Sequence, residues 1–302
     1  MLATRSNGKH NGHLNGHGGL EPGRFGSREP PLAETSALGR PAPTPLALAQ
    51  GYRPAGKLAG KVAIITGADS DLGRAVAQAY AHEGADVAIV YYEDDAGANE
   101  ARQAVEDAGR RAVTIRGDVA DEAFCRSAVE QVVRELARVD ILVSNTAVQV
   151  RTDDVLALRA EQLERTFRVN VFGYLFMVQA CLPRMAPGGA IIATGSEMGI
   201  FGSEHLPDYS ATQGAVHALT RSLAQQLQPR GIRVNAIAAG QPWPASAPTD
   251  PDAAVACAGH GPARGGSRQP GDLAPTYVFL ASNADSRFIT GQVLTELETG
   301  DV

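Results

Sequence analysis

From Lys61 onward, apolar residues come in short unbroken runs that alternate with longer amphipathic stretches. Val62–Thr66 is the first run, five residues without a charge, the pattern of a strand buried on both faces. Leu72–Glu83 then repeats its apolar positions at helical spacing. The rhythm continues with a strand at Asp86–Tyr91, a helix at Ala96–Ala108, a strand at Arg111–Arg116, a helix at Glu122–Arg138 and a strand at Ile141–Ser144. Long helical segments follow over Glu161–Met185 and around Tyr209–Gln228. Strands are expected at Ala190–Thr194 and Arg233–Ile237, and a last one near Gln292–Leu294. Strands alternating with helices predict an α/β fold: a single Rossmann-type, doubly wound parallel sheet with helices on both faces.

Two stretches break the rhythm. Residues 1–56 are rich in Gly, Pro, Asn and His without periodicity, which predicts a disordered arm ahead of one domain over 57–302. His10, His13 and His17 lie in that arm, but nothing beside them would hold a coordination geometry, so no metal site is expected. Residues 238–271 carry many Pro, Gly and Ala and, Trp243 apart, almost no large apolar side chain. So long a loop inside a compact domain is either functional or disordered. Its place after the sixth strand puts it at the carboxyl edge of the sheet, as an irregular substrate-loop region.

Composition narrows the function classes. With 44% hydrophobic residues in 302, the chain can bury one full-sized core. Residues 1–60 carry a net +4 and the remainder −10, within an overall −6. A domain that acidic lacks the basic footprint of a nucleic-acid or anionic-membrane binder. Cys125, Cys181 and Cys257 fall in no metal or redox spacing and read as reduced packing residues of a cytoplasmic protein. No apolar run reaches the ~18 residues of a membrane span. The first residues also lack the apolar core of a signal peptide.

Candidate chemistry gathers at both ends of the alternating region. Directly after the first strand stands Thr66-Gly67-Ala68-Asp69-Ser70-Asp71-Leu72-Gly73-Arg74, a glycine turn leading into a helix. Such a turn lets backbone approach a pyrophosphate, which the helix N-terminus attracts. It closely resembles the Thr-Gly-x-x-x-Gly-x-Gly of the short-chain dehydrogenase/reductase family, matching at Gly67 and Gly73 with Asp71 in place of the middle glycine. Asp71 reads two ways. Its carboxylate facing a diphosphate, ~5 Å apart at an effective dielectric of ~20, is repelled by roughly 3 kcal/mol, which weakens cofactor affinity; or it is an N-cap for the helix from Leu72.

Further phrases carry the same resemblance over roughly Leu58 to Leu294. Gly60–Gly67, Thr166–Gly173 and Phe288–Leu294 look like the bacterial general-stress-type branch of the family. Asp118-Val119 resembles its adenine-contacting pair, and Ser144-Asn145-Thr146-Ala147 resembles its Asn-Asn-Ala-Gly motif at Asn145 alone. The resemblance implies an NAD- or NADP-dependent oxidoreductase acting on a small alcohol or carbonyl compound. It also implies pairing of the helices that carry Asn170 and Tyr209 into a homodimer or homotetramer. The acidic run Tyr91-Tyr92-Glu93-Asp94-Asp95 offers no Lys or Arg for a 2′-phosphate, which favours NAD; Arg74 is the one nearby cation that argues otherwise.

In this family a tyrosine exchanges a proton with the substrate oxygen, a serine thirteen residues upstream orients that oxygen, and an asparagine supports a relay water. Tyr209, Ser196 and Asn170 match these positions. The family's lysine, four residues after the tyrosine, is Gln213 here. Residues at i and i+4 share a helix face, so Gln213 is expected where the ammonium would be. The chain's only lysines, Lys9, Lys57 and Lys61, all precede the first strand. Neutral glutamine can bond a ribose hydroxyl but cannot lower a phenol pKa. Three functions therefore stay open: an atypical oxidoreductase, an impaired member acting as a binding or partner subunit, or a non-redox acid/base catalyst in which Glu197 joins Ser196 and Tyr209.

Overall fold

Seven strands pair in parallel in the order β3-β2-β1-β4-β5-β6-β7, which is the doubly wound arrangement expected. This computed structural model describes Ala49, residues 51–240 and residues 269–296. The strands are β1 (Val62–Thr66), β2 (Asp86–Tyr91), β3 (Ala112–Arg116), β4 (Ile141–Ser144), β5 (Ala190–Ser196), β6 (Arg233–Ala239) and β7 (Val293–Glu296). The helices that cover them are α1 (Asp71–His82), α2 (Asp95–Asp107), α3 (Glu122–Leu136), α4 (Ala160–Phe167), α5 (Tyr174–Cys181), α6 (Met198–Phe201), α7 (Pro207–Leu227), α8 (Pro270–Ala281) and α9 (Asn283–Ser286).

Alternation along β1 shows why its run is wholly apolar. Val62 and Ile64 enter one core with Val132, Met177 and Leu223, whereas Ala63 and Ile65 enter the other with Val76, Tyr80 and Tyr277. A strand with a helical layer on each side has no face left for polar residues. Chain order reverses at β1, which pairs with β2 on one side and β4 on the other. The carboxyl ends of β1 and β4 therefore diverge into a crevice, the usual ligand position of an open α/β sheet.

Three expectations need correction. The helix expected over Glu161–Met185 is broken: α4 passes into a π-helical turn at Arg168–Gly173 before α5 begins, and Leu182–Arg184 ends as a 3-10 turn. Gly173 lies so close to the β3–α3 connection that an added Cβ would be 2.8 Å from Val119 Cγ2, and the wider turn sits at that approach. Secondly, the helix expected to start at Leu72 starts at Asp71, and its N-cap is Ser70, whose Oγ accepts from the Gly73 amide at 3.2 Å. Thirdly, the irregular span 238–271 is bounded by structure, since β6 runs to Ala239 and α8 begins at Pro270. Helix α8 itself has no counterpart in the periodicity. Trp243, Cys257, the three arm histidines and most of the expected arm and substrate loop lie outside the described residues. Where the arm is described, Tyr52 and the amides of Ala55 and Lys57 all donate to the buried Glu83 carboxylate after α1.

Candidate functional site

A cleft of about 500 Å³ opens at the crevice between β1 and β4. Of the residues singled out from the sequence, Gly67, Leu72, Asp118, Val119, Asn145, Ser196 and Tyr209 line it; Asp71, Gly73, Asn170 and Gln213 do not.

The turn after β1 forms one wall. Gly67 adopts φ +64°, and a Cβ there would lie 3.1 Å from Thr146 Cα and 3.2 Å from Asn145 Nδ2. A Cβ on Gly73 would lie 2.2 Å from the Gly67 carbonyl oxygen, so this glycine lets α1 start against the turn rather than touching the cleft. Asn145 fixes the arrangement. Its Nδ2 donates to Gly67 O (3.1 Å) and Ser70 Oγ (3.2 Å), and its backbone amide donates to Thr66 Oγ1 at 3.0 Å. Its Oδ1 accepts from Thr194 Oγ1 at 3.0 Å, which in turn bonds the Tyr277 hydroxyl at 2.7 Å. A polar chain thus runs from α8 to the glycine turn. Nothing in the sequence pattern announced Thr194 or Tyr277, because each is an isolated polar residue in an apolar run.

Asp71 itself is not part of the cleft wall. Its carboxylate pairs with the Arg74 guanidinium one helical turn on. The capping role is corrected, since Ser70 does the capping, and the Asp71 charge is paired with Arg74. The acidic residues that do line the cleft are Asp69 and Asp94 at its outer end. Burial, together with the neighbouring Asp94, lifts the Asp69 carboxyl above its ordinary range. Across from them, Asp118 accepts from Arg165 at 2.7 Å and from the Ala120 amide at 2.9 Å. Arg165 also lies 5.8 Å over the Tyr92 ring. Arg165, on α4, was not foreseen, since only the fold brings it beside the β2 and β3 ends.

At the inner end, β5 delivers Ser196 and the first turn of α7 delivers Tyr209, and both line the cleft. Burial raises the Tyr209 phenol above its ordinary pKa, and the neighbouring Ser196 hydroxyl pulls the other way. Buried Asp208 anchors this end of α7 by accepting from Thr166 Oγ1 at 2.7 Å and Gln162 Nε2 at 3.2 Å. Asn170 sits behind the cleft in the π-turn. Its carboxamide exchanges bonds with the Val148 amide (2.7 Å) and carbonyl (2.9 Å) and donates to Thr212 Oγ1 at 3.0 Å.

Gln213 does follow Tyr209 along α7, but it is sealed in. It is 1% exposed, a Cβ on Gly199 of α6 would lie 2.8 Å from its Cβ, and its Oε1 has no hydrogen-bond partner among the described residues. It is not in the cleft wall, because α6 packs over that part of the helix. Glu197 caps the other side of α6, with Oε2 3.3 Å from a Cβ built on Gly240, and is not in the cleft wall. Among the described residues, no His/Cys/Asp/Glu group could hold a metal ion, and no helix is long and apolar enough to cross a membrane.

This geometry has known counterparts. A family model described as enoyl-(acyl carrier protein) reductase matches residues 67–296. General stress protein 39 of Bacillus subtilis is 44% identical over 253 residues, covering 83% of this chain and 88% of that protein. The chain belongs to the short-chain dehydrogenase/reductase family. Among solved members, a short-chain dehydrogenase from Burkholderia cenocepacia in complex with NADP superposes with a TM-score of 0.74 at 32% identity, covering 79% of this chain and 97% of that one. An NAD+-bound xylitol dehydrogenase superposes with a TM-score of 0.72 at 28% identity, covering 80% and 99%. As a short-chain dehydrogenase/reductase, the protein is an NAD(P)-dependent oxidoreductase. Its described residues fit a dinucleotide: the Gly67 turn, at φ +64° and without a side chain, packs tightly against Thr146, and the cleft continues from Asp69 and Asp118 to Ser196 and Tyr209.

Proposed function

We propose that the protein interconverts a small alcohol and its carbonyl compound, with Tyr209 as proton donor and acceptor and with an unusually weak drive for that proton transfer. The observation that carries this reading is the Ser196–Tyr209 pair at the inner end of the cleft whose outer end is built from Gly67, Asp118 and Val119. The chemistry a bound nicotinamide supplies is hydride transfer to or from the carbon that bears the oxygen. Tyr209 Oη holds the proton that this oxygen gains or loses, and Ser196 Oγ orients the oxygen against it. Asn170 acts through its neighbours: by tying Val148 to Thr212, it holds α7 in register with the loop after β4.

Gln213 sets the rate. The family's lysine position is occupied by a neutral amide, so no ammonium lowers the Tyr209 pKa and burial keeps it high. A raised phenol is a poor base in oxidation at neutral pH and a reluctant acid in reduction. The same observation favours a second reading, in which the chain binds nucleotide without appreciable turnover and serves as a partner subunit. The non-redox reading has no comparable support, as Glu197 is outside the cleft wall. Self-association, as a dimer or tetramer, is supported by Leu163 and Phe172, which are 40% and 43% exposed on the α4–α5 surface.

The test is titration of the purified protein with NAD(H) and NADP(H), followed by turnover on a panel of small alcohols and aldehydes. Nucleotide binding with turnover that Tyr209→Phe abolishes supports the first reading. Binding without turnover supports the second, and turnover that persists after nucleotide is stripped refutes both.

A further inference from the structure

The outer end of the cleft is acidic, yet a guanidinium lies immediately behind it. Asp69 and Asp94 line the wall, and Asp94 Oδ1 caps α2 by accepting from the Gly97 amide at 3.0 Å. Arg74 does not line the cleft. Its Nη1 donates to the Asp69 carbonyl oxygen at 2.8 Å, its Nη2 is taken by the Asp71 carboxylate, and its Nε lies 3.6 Å from Glu100 Oε2. One point brings these groups together: a Cβ on Gly97 would be 2.5 Å from both Asp69 O and Asp94 Oδ2, and 3.0 Å from Arg74 Nη1. The cation is thus one residue's thickness from the wall and committed elsewhere. The two other arginines at this end are committed as well, Arg165 to Asp118 and Arg116 to Asp95 and the Tyr92 carbonyl.

We propose that Asp71 is a cofactor-specificity latch: by holding the Arg74 guanidinium outside the cleft, it denies a 2′-phosphate its cation and leaves Asp69 and Asp94 to select the 2′-hydroxyl of NAD. This rests on the oxidoreductase reading above and adds the residue that chooses between its two cofactors. The chemistry is asymmetric. Carboxylates accept hydrogen bonds from ribose hydroxyls but repel a phosphate dianion, whereas a released guanidinium would offer that dianion paired donors. With four rotatable side-chain bonds, Arg74 can make the turn once Asp71 is neutral, giving up its bond to the Asp69 carbonyl and the longer contact to the exposed Glu100. The middle glycine of the nucleotide turn is therefore replaced by a residue that acts sideways on Arg74, not forward on the diphosphate.

Calorimetric or fluorescence titration of the full chain with NAD+ and NADP+ tests this on the parent, Asp71→Asn, and the double variant Asp71→Asn/Arg74→Ala. Asparagine keeps the bulk at position 71 and leaves the Ser70 cap in place, and circular dichroism checks that each variant is folded. The latch predicts that the parent prefers NAD+, that Asp71→Asn tightens NADP+ binding roughly tenfold while NAD+ changes less than about threefold, and that the double variant loses the gain. Equal tightening of both nucleotides would mean that Asp71 acts on the shared diphosphate, and would overturn the latch while leaving the oxidoreductase reading intact. A gain that survives removal of Arg74 would also overturn it. No binding of either nucleotide by any of the three proteins would overturn the oxidoreductase reading, and the latch with it.

Discussion

Replacing Gln213 by lysine restores a cation one turn along α7 from Tyr209, and its effect can be sized from the site. An ammonium ~5 Å from the phenol oxygen, at an effective dielectric of ~20, stabilises the phenolate by roughly 3 kcal/mol, equivalent to about two pK units. Burial works against this. Position 213 is 1% exposed, and a desolvated lysine loses up to several pK units of its own, so it is only partly charged at neutral pH. The net expectation is a Tyr209 pKa lower by about one to two units. In the oxidation direction the rate at neutral pH should rise about 10- to 100-fold, with the rising limb of log kcat against pH moving to lower pH by the same amount. The assay is nicotinamide absorbance on whichever alcohol of the panel is turned over, from neutral to alkaline pH. Gln213→Met serves as the uncharged control. A folded Gln213→Lys protein whose rate and pH profile match the parent's would refute the reasoning, as would an equal gain in the methionine control.

Three other outcomes follow from the same structure. Tyr209→Phe should lower turnover at least about 100-fold while nucleotide affinity changes less than about threefold, because the hydroxyl is asked only for proton transfer; isothermal titration beside kinetics separates the two. Gln213→Met should raise thermal stability by about 1 kcal/mol, since it removes a buried Oε1 that has no partner among the described residues; a lower melting temperature would contradict this. For Asp86 on β2, the cost of burial is outweighed by the Arg111 amide and guanidinium and by Arg110, which together hold its carboxyl below the ordinary range. Its contribution is present above the unfolded carboxyl pKa of ~3.9 and is lost as pH falls through the lower folded value. The stability gap between the parent and Asp86→Asn should therefore be constant at neutral pH and close under acid; a gap that persists at the lowest pH would refute it.

Much of this fold could be read from apolar periodicity, and the failures have physical causes. Asp86–Tyr91 and Ile141–Ser144 were bounded correctly because the middle of a strand covered on both faces is apolar and polar residues such as Asp86 and Ser144 mark its ends. Glu161–Met185 kept an unbroken helical pattern, yet the close approach of Gly173 to Val119 accompanies a π-turn that no spacing rule registers. Ser70 and Asp71 are both good caps, and what separates them is the i, i+3 partner Arg74, which draws the carboxylate sideways. α8 carries Pro270 at its start and Pro275 within it, two breakers that leave no helical signature to read. At the site, the serine–tyrosine spacing brought Ser196 and Tyr209 to one cleft wall, because β5 and α7 meet there. The i+4 rule placed Gln213 on the Tyr209 side of the helix but could not see that α6 folds over it. Asp69, Arg165, Thr194 and Tyr277 reach the cleft or its supports only through tertiary packing.

The claim on which the account stands is that Tyr209 works without a cation beside it. Ultraviolet tyrosinate difference titration of the parent against Tyr209→Phe isolates this one phenol from the other tyrosines. The account predicts a midpoint above the ordinary ~10 in the parent and a lower one in Gln213→Lys. A parent midpoint well below 10 would contradict it, because some other positive group would then be supplying the field that Gln213 does not.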